Sequence, residues 1–330
     1  MKRSSQTQNK RLLTAFCLVL LLVLPMTLAA ETNERVISVS QFMLHPALDA
    51  LLKGFKDALQ GPGFQIRYNI HIANGDEATN VEIAKRIAHE HPDLVLAIST
   101  PSAQACFKNL PGTTVLFSAV TDPVAASLVS SLNKPGPNIT GMTDMSPVDR
   151  HIALIQELQP NLKKLGALYN ANEVNSLRLV KILEEECRKR GIEVISKTVE
   201  KKEGVAEAAA SLVGQCDAVY VPTDNTVVAA MESVARICGK NRRPLYAADV
   251  DSVPRGAVIA LAIDYYGMGR QTARMAERLF RGETPSSIPV ESLEDFRIHV
   301  NLKAAEIMGI ELPVSLLQSA DVIYDSFPDQ

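Results

Sequence analysis

The residues best equipped for chemistry in this chain stand where apolar runs end. Leu94–Ile98 runs into Ser99-Thr100-Pro101-Ser102, and Thr114–Val120 runs into Thr121-Asp122-Pro123. At both places hydroxyls and free backbone N–H groups meet the start of a helix, where the dipole favours an anion such as a carboxylate. Later apolar runs end in carboxylates and amides: Tyr169-Asn170, Thr223-Asp224-Asn225, Asp249 and Asp264. A carboxylate in such a place either holds an ammonium group or caps the next helix, and for Asp122, just before Pro123, the two readings weigh equally. Phe42, Tyr169, Tyr265 and Tyr266 supply rings that sandwich an apolar group or serve as ordinary packing. Taken together, these groups suit a zwitterion with an apolar end, such as an amino acid.

Catalysis would leave sharper marks. The chain has no G-x-S-x-G, H-E-x-x-H, Walker or G-x-G-x-x-G pattern. His45 is the one histidine beside a strand end, where it either touches a ligand or caps the helix that follows. His89-Glu90-His91 has a metal-like look but ends a helix before Pro92, where histidines suit the last carbonyls. No metal or cofactor is expected. Cys106, Cys187, Cys216 and Cys238 show no C-x-x-C spacing and read as buried thiols, with one bridge left open by export.

The elements that position these residues alternate with regularity. Short apolar strands are expected at Val36–Val39, Gln65–Ile72, Leu94–Ile98 and Thr114–Val120. Helices follow them at Pro46–Gln60, stopped by Gly61-Pro62-Gly63, and at Glu77–His89, Ser102–Asn109 and Val124–Leu132. Strands with little polar alternation fit a parallel sheet covered on both faces. Lys134-Pro135-Gly136-Pro137-Asn138 interrupts the alternation and reads as a passage to a second lobe over Gly136–Met145. The pattern then restarts with helices at Val148–Leu158, Ser176–Arg190, Val205–Gly214 and Thr226–Gly239, interleaved with strands at Lys164–Tyr169, Glu193–Lys197, Asp217–Val221 and Pro244–Ala248. Val258–Ile263 is a further strand, expected to return to the first lobe, and Met268–Arg281 a helix; the tail closes the second lobe. The expected fold is α/β, with two Rossmann-like lobes divided as 31–140 plus 258–295 and 141–257 plus 296–330. In open α/β sheets ligands bind outside the carboxyl ends of the strands, so the polar ends converge on the cleft.

With 330 residues, 46% of them hydrophobic and 22% charged, the chain has ordinary globular composition. Residues 1–30 stand apart: Lys2, Arg3, Lys10 and Arg11 precede the apolar run Leu12–Leu24, and Leu28-Ala29-Ala30 ends it. That is the form of a cleaved secretory signal, with an uncleaved anchor as the alternative. Its removal takes four basic and no acidic residues and moves the net charge from −3 to −7. No basic surface remains to suggest nucleic acid.

The motifs Thr100-Pro101-Ser102-Ala103-Gln104-Ala105, Ala119-Val120-Thr121-Asp122-Pro123-Val124, Asn138-Ile139-Thr140-Gly141 and Tyr220-Val221-Pro222-Thr223-Asp224-Asn225-Thr226 occur in order. They resemble the ABC transporter substrate-binding family of the tryptophan/tyrosine type, as do Gln41-Phe42 with His45-Pro46-Ala47-Leu48-Asp49 and Asp264-Tyr265-Tyr266 with Gly269-Arg270-Gln271. The resemblance spans about Arg35 to Leu317 and implies a type I periplasmic-binding fold with three crossovers, closing on a small ligand without catalysis. It implies a monomer in the periplasm that serves a membrane permease and its ATPase. It also adds Gln104 to the ligand-facing candidates Phe42, His45, Ser99, Thr100, Thr121, Asp122, Tyr169, Asn170, Thr223, Asp224, Asn225, Asp249 and Asp264. Pro135-Gly136-Pro137-Asn138 departs from the family's usual Pro-Gly-Gly-Asn. Two other readings compete: an extracytoplasmic sensor using the same cleft, and a hydrolase using His45 and a nearby aspartate.

Overall fold

The computed structural model describes residues 34–60 and 65–328. The expected signal segment 1–30 and the stop Gly61-Pro62-Gly63 lie outside the described residues.

The strands assemble into two sheets. The first contains β1 (Glu34–Gln41), β2 (Gln65–Ile72), β3 (Leu94–Ile98), β4 (Val115–Ser118), β5 (Ile139–Thr143) and β11 (Glu291–Ser292), in the order β11-β5-β4-β3-β1-β2. The second contains β6 (Lys164–Asn170), β7 (Glu193–Val199), β8 (Ala218–Val221), β9 (Leu245–Ala247), β10 (Ile259–Ile263), β12 (Phe296–Asn301) and β13 (Val322–Tyr324), in the order β13-β12-β10-β9-β8-β6-β7. Within each sheet the first five strands follow one plan, β2-β1-β3-β4-β5 and β7-β6-β8-β9-β10, and all of those pairs are parallel. Such an order reverses direction between β1 and β3, and between β6 and β8, which opens a crevice at the strands' carboxyl ends.

The central apolar runs are buried on both faces, as their lack of alternation requires, while the edge strands β2 and β7 stay partly exposed. Along β3, Leu94, Leu96 and Ile98 enter one core and Val95 and Ala97 another on the opposite face of the sheet. Helix α1 (Pro46–Leu59) covers the first face, with α2 (Glu77–Glu90) and α3 (Thr100–Asn109) on the second. The second sheet is packed by α4 (Val148–Leu158), α5 (Val174–Lys189), α6 (Val205–Leu212), α7 (Asn225–Val228), α8 (Met231–Lys240), α10 (Leu302–Met308) and α11 (Val314–Ser319). The four described cysteines are buried free thiols.

Helix α9 (Tyr265–Phe280) leaves the second sheet to lie on α1, contributing Met268, Ala273 and Ala276 to the core that α1 forms. The approach is close: a Cβ on Gly269 would meet the Leu51 carbonyl oxygen at 1.9 Å, and one on Gly54 the Tyr266 carbonyl oxygen at 2.1 Å. Only glycine permits such backbone contact. Because α1 starts after His45 and α9 starts at Tyr265, this contact sets the spacing of two residues of the cleft.

Several expectations need correction. The strand expected at Val258–Ile263 stays in the second sheet, parallel to β9 and antiparallel to β12, and the chain crosses only after it. Likewise β5 belongs wholly to the first sheet, so the break at Lys134–Asn138 is an in-sheet connection and the first passage begins at Asp144. Val124–Leu132 is a series of turns: Asp122 Oδ1 accepts from the backbone N–H groups of Val124 and Ala125, and Ser127 adopts φ +59°. The helix expected over Thr226–Gly239 is two, α7 and α8, interrupted at Ala229-Ala230. The passages after β5, β10 and β11 make three crossovers.

Candidate functional site

A cavity lies between the two sheets, at their carboxyl ends. From the first lobe it is lined by His45 with Ala47 and Leu48 at the head of α1, by Thr100 at the start of α3, and by Ala119 and Thr121 after β4. The second lobe contributes Asn175 of α5, the Thr223-Asp224-Asn225 turn after β8, Val228, and Asp249 after β9. Asp144 and Tyr265 enter from the crossovers. The strand ends flanking the two crevices, after β1, β3, β6 and β8, therefore all contribute.

The polar groups divide into two sets. At the start of α3, Ser99 occupies the N-cap position at φ +83° without capping the helix through its side chain, and the hydroxyls of Ser99 and Thr100 are both buried with no partner. A non-glycine residue held in the left-handed region is a local strain of the kind found at ligand sites. The other set is acidic: Asp144, Asp224 and Asp249 are all buried, and no lysine or arginine among the described residues lines the cavity.

Each carboxylate is held differently. Asp144 accepts from Thr121 Oγ1 at 2.9 Å and from Tyr265 Oη at 2.8 Å. Asp249 accepts from the N–H of Ser252 at 2.9 Å and its hydroxyl at 2.6 Å. Asp224 accepts from Asn170 N and Ser176 Oγ at 2.6 Å and from Val227 N at 2.7 Å. Burial raises the pKa of all three, and for Asp224 the neighbouring Glu173 charge adds to it, taking that carboxyl to about 7. Asp224 is thus both a cavity wall and the cap of α7.

His45 is buried, and burial lowers its pKa to about 4, so the ring is neutral. Its Nε2 faces Asn225 Oδ1 across the cleft at 3.5 Å, and its Nδ1 has no partner. The ring meets an amide where a hydrolase would place an orienting carboxylate.

The sequence-predicted residues that line the cavity are His45, Thr100, Thr121, Thr223, Asp224, Asn225 and Asp249. The others are placed elsewhere. Ser99 sits beside Thr100, and Phe42 is packed in the core that α2 and α3 cover. Gln104 donates to the Ala126 carbonyl, which braces the turns after β4. Asp122 forms an ion pair across the lobes with Arg178 of α5 at 2.9 Å. Tyr169 belongs to the second lobe's core, and Asn170 braces Asp224 and Thr226. Asp264 is exposed and caps α9 through the Tyr266 N–H. Asp144 and Asn175 line the cavity without having been singled out, and Tyr265 was singled out only as a ring.

The profile of a family described as ABC transporter substrate binding protein matches residues 36–323, nearly all of the described chain. The chain belongs to that family. A tyrosine-binding protein of Clostridioides difficile (strain R20291) is 38% identical to this substrate-binding protein over 285 residues, 84% of this chain and 83% of that one. A solved structure from Streptococcus pneumonia, an ABC domain in complex with L-Trp, superposes with a TM-score of 0.85 at 31% identity and covers 88% of this chain and 99% of that one. A substrate-binding protein of Clostridium difficile in its ligand-free, open form is more similar in sequence, at 37%, but superposes at only 0.66 over 88% of this chain and 100% of that one. This substrate-binding protein thus superposes better on the L-Trp complex than on the ligand-free, open structure. The ion pair Asp122–Arg178 and the approach of His45 to Asn225 both bridge the two lobes.

Proposed function

We propose that this substrate-binding protein captures an aromatic amino acid, tyrosine or tryptophan, outside the cytoplasm and hands it to the permease of an ABC importer. The carrying observation is the polarity of the cavity: among the described residues three buried carboxylates and no lysine or arginine line it, opposite a helix start whose hydroxyls lack partners. A cavity so composed suits a ligand that brings its own positive charge, because buried carboxylates are stabilised by an ion partner. The ligand carboxylate would sit at Ser99 and Thr100, against the N-terminus of α3, with Thr121 beside it. Its ammonium group would lie against Asp144 and Asp249, whose oxygens each accept one side-chain or backbone donor and retain lone pairs. Ala47, Leu48, Ala119 and Val228 supply apolar wall, and Tyr265 a ring. The names of the C. difficile and S. pneumonia relatives support the aromatic class. Residues 1–30 serve as the export signal, and the closed form is what the permease reads.

Isothermal titration of the mature chain with L-tyrosine, L-tryptophan, L-phenylalanine and L-leucine tests this reading. Saturable binding of tyrosine or tryptophan, tighter than that of leucine, is expected. Binding to none of the aromatic amino acids would overturn the ligand class.

A further inference from the structure

Glu173 is buried just outside the cavity, before the start of α5. Its Oε1 accepts from the backbone N–H of Thr226 at 3.1 Å and from Thr226 Oγ1 at 2.8 Å. Its Oε2 accepts from Asn225 N at 3.1 Å, from Asn225 Nδ2, and from Asn175 Nδ2 at 3.2 Å. Asn175 Nδ2 donates a second time, to the Thr223 carbonyl at 2.9 Å. Both side-chain amides are thereby oriented. Turning either one over would set an amide oxygen against a carboxylate, and for Asn175 against a carbonyl as well.

The remaining atoms then have defined roles. Asn175 Oδ1 is a buried acceptor with no partner, on a residue that lines the cavity. Asn225 Oδ1 faces His45 Nε2 at 3.5 Å, and since an amide oxygen only accepts, that approach favours a neutral ring with its proton on Nε2. Nδ1 is left as a lone pair, also buried and also without a partner. Buried acceptors without donors are costly, so a ligand that supplies donors recovers that cost on binding.

We propose that Glu173 is a positioning residue that sets the polarity of the cavity, turning Asn175 Oδ1 and, through Asn225, the His45 Nδ1 lone pair into acceptors for ligand N–H or O–H groups. The proposal rests on the amino-acid reading for the identity of its ligand. The donors it selects are those such a ligand carries: an α-ammonium, a phenol hydroxyl or an indole N–H. Glu173 touches no ligand in this arrangement and acts only through the two asparagines.

Two measurements on the mature chain test it. In ¹⁵N spectra of the histidine side chains, with His45 identified by its loss in His45→Gln, the ligand-free protein should show the Nε2–H tautomer, and Glu173→Gln should mix in the other. An Nδ1–H ring in the unsubstituted protein, or a tautomer unmoved by Glu173→Gln, overturns the proposal whether or not any amino acid binds. By calorimetry, His45→Phe, which keeps a ring but removes the lone pair, should weaken ligand binding roughly tenfold or more, with folding checked by circular dichroism. A loss confined to L-tyrosine and absent with L-phenylalanine assigns the ring hydroxyl as the donor; an equal loss with both assigns the ammonium; either supports the acceptor face. No loss with either overturns it. If the unsubstituted protein binds no aromatic amino acid, the amino-acid reading fails, and the tautomer measurement alone decides the role of Glu173. Should Glu173→Gln not fold, the tautomer of the unsubstituted protein and the His45→Phe titrations still decide it.

Discussion

Tyr265 Oη donates a 2.8 Å hydrogen bond to Asp144 Oδ2, and this bond joins two of the three passages between the lobes. Asp144 is the first residue after β5, where the chain leaves the first sheet; Tyr265 opens α9, where the chain comes back. Thr121, at the end of the run containing β4, donates to the other oxygen of the same carboxylate. One buried acid therefore lines the cavity and ties together the segments that must bend when the lobes part.

Tyr265→Phe should expose the worth of that tie. It removes the donor and little volume, leaving a buried carboxylate oxygen short of a partner. A loss of about 1–3 kcal/mol in unfolding free energy is expected, read from urea denaturation of the ligand-free protein. A change lying within error would show that the bond does not hold the crossovers.

Across the cleft mouth, Asp122 and Arg178 offer a second handle. The pair bridges the lobes at 2.9 Å, but the arginine side chain is 39% exposed, so screening limits it. Arg178→Ala should favour the open form by only about 0.5 kcal/mol, a roughly twofold weaker ligand affinity. The effect should shrink further in 0.5–1 M salt, on the order of the screening expected there. Titrations at low and high salt check it, and an equal deficit at both would assign the loss to packing.

The strand ends were the legible part of this chain. Ser99-Thr100, Thr121 and Thr223-Asp224-Asn225 follow apolar runs directly, and a parallel α/β sheet brings such ends to one crevice. Asp144 was not legible as a site residue, because Thr143-Asp144-Met145 reads as hinge and its value depends on Tyr265, 121 residues away. Glu173 and Asn175 look like ordinary helix-start residues, since their partners Thr223, Asn225 and Thr226 are distant in sequence. The run Ile259–Ile263 announces a strand buried on both faces but not the sheet it joins. That is decided by its antiparallel register with β12, from Ile259 opposite Val300 to Ile263 opposite Phe296.

The contact between α1 and α9 gives a prediction about the frame. Gly269→Ala would set a methyl against the Leu51 carbonyl and Gly54→Ala one against the Tyr266 carbonyl, both of them backbone atoms that move only with their helices. Each should cost about 2 kcal/mol or more, outweighing the gain in helix propensity of about 1 kcal/mol. Because the helices lead out of His45 and Tyr265, ligand affinity should fall in the same variants. A raised melting temperature in either would overturn the assigned packing.

In the ligand-free protein, burial raises the pKa of Asp144 and Asp249, and burial with the Glu173 charge takes Asp224 to about 7. An ammonium group entering the cavity favours the ionised forms and lowers those pKa values again. Binding should therefore release protons wherever the carboxyls are partly protonated beforehand. By linkage, a reaction that releases protons is favoured as pH rises, so affinity should climb between mildly acidic pH and pH ~7, by at most about tenfold per pH unit for each proton released. His45, held at about 4, stays neutral over that range and adds nothing to the slope. Calorimetry in two buffers of different ionisation enthalpy counts the protons directly. Net proton uptake, or an affinity that falls as pH rises over this interval, would place the ligand's positive charge away from these carboxylates.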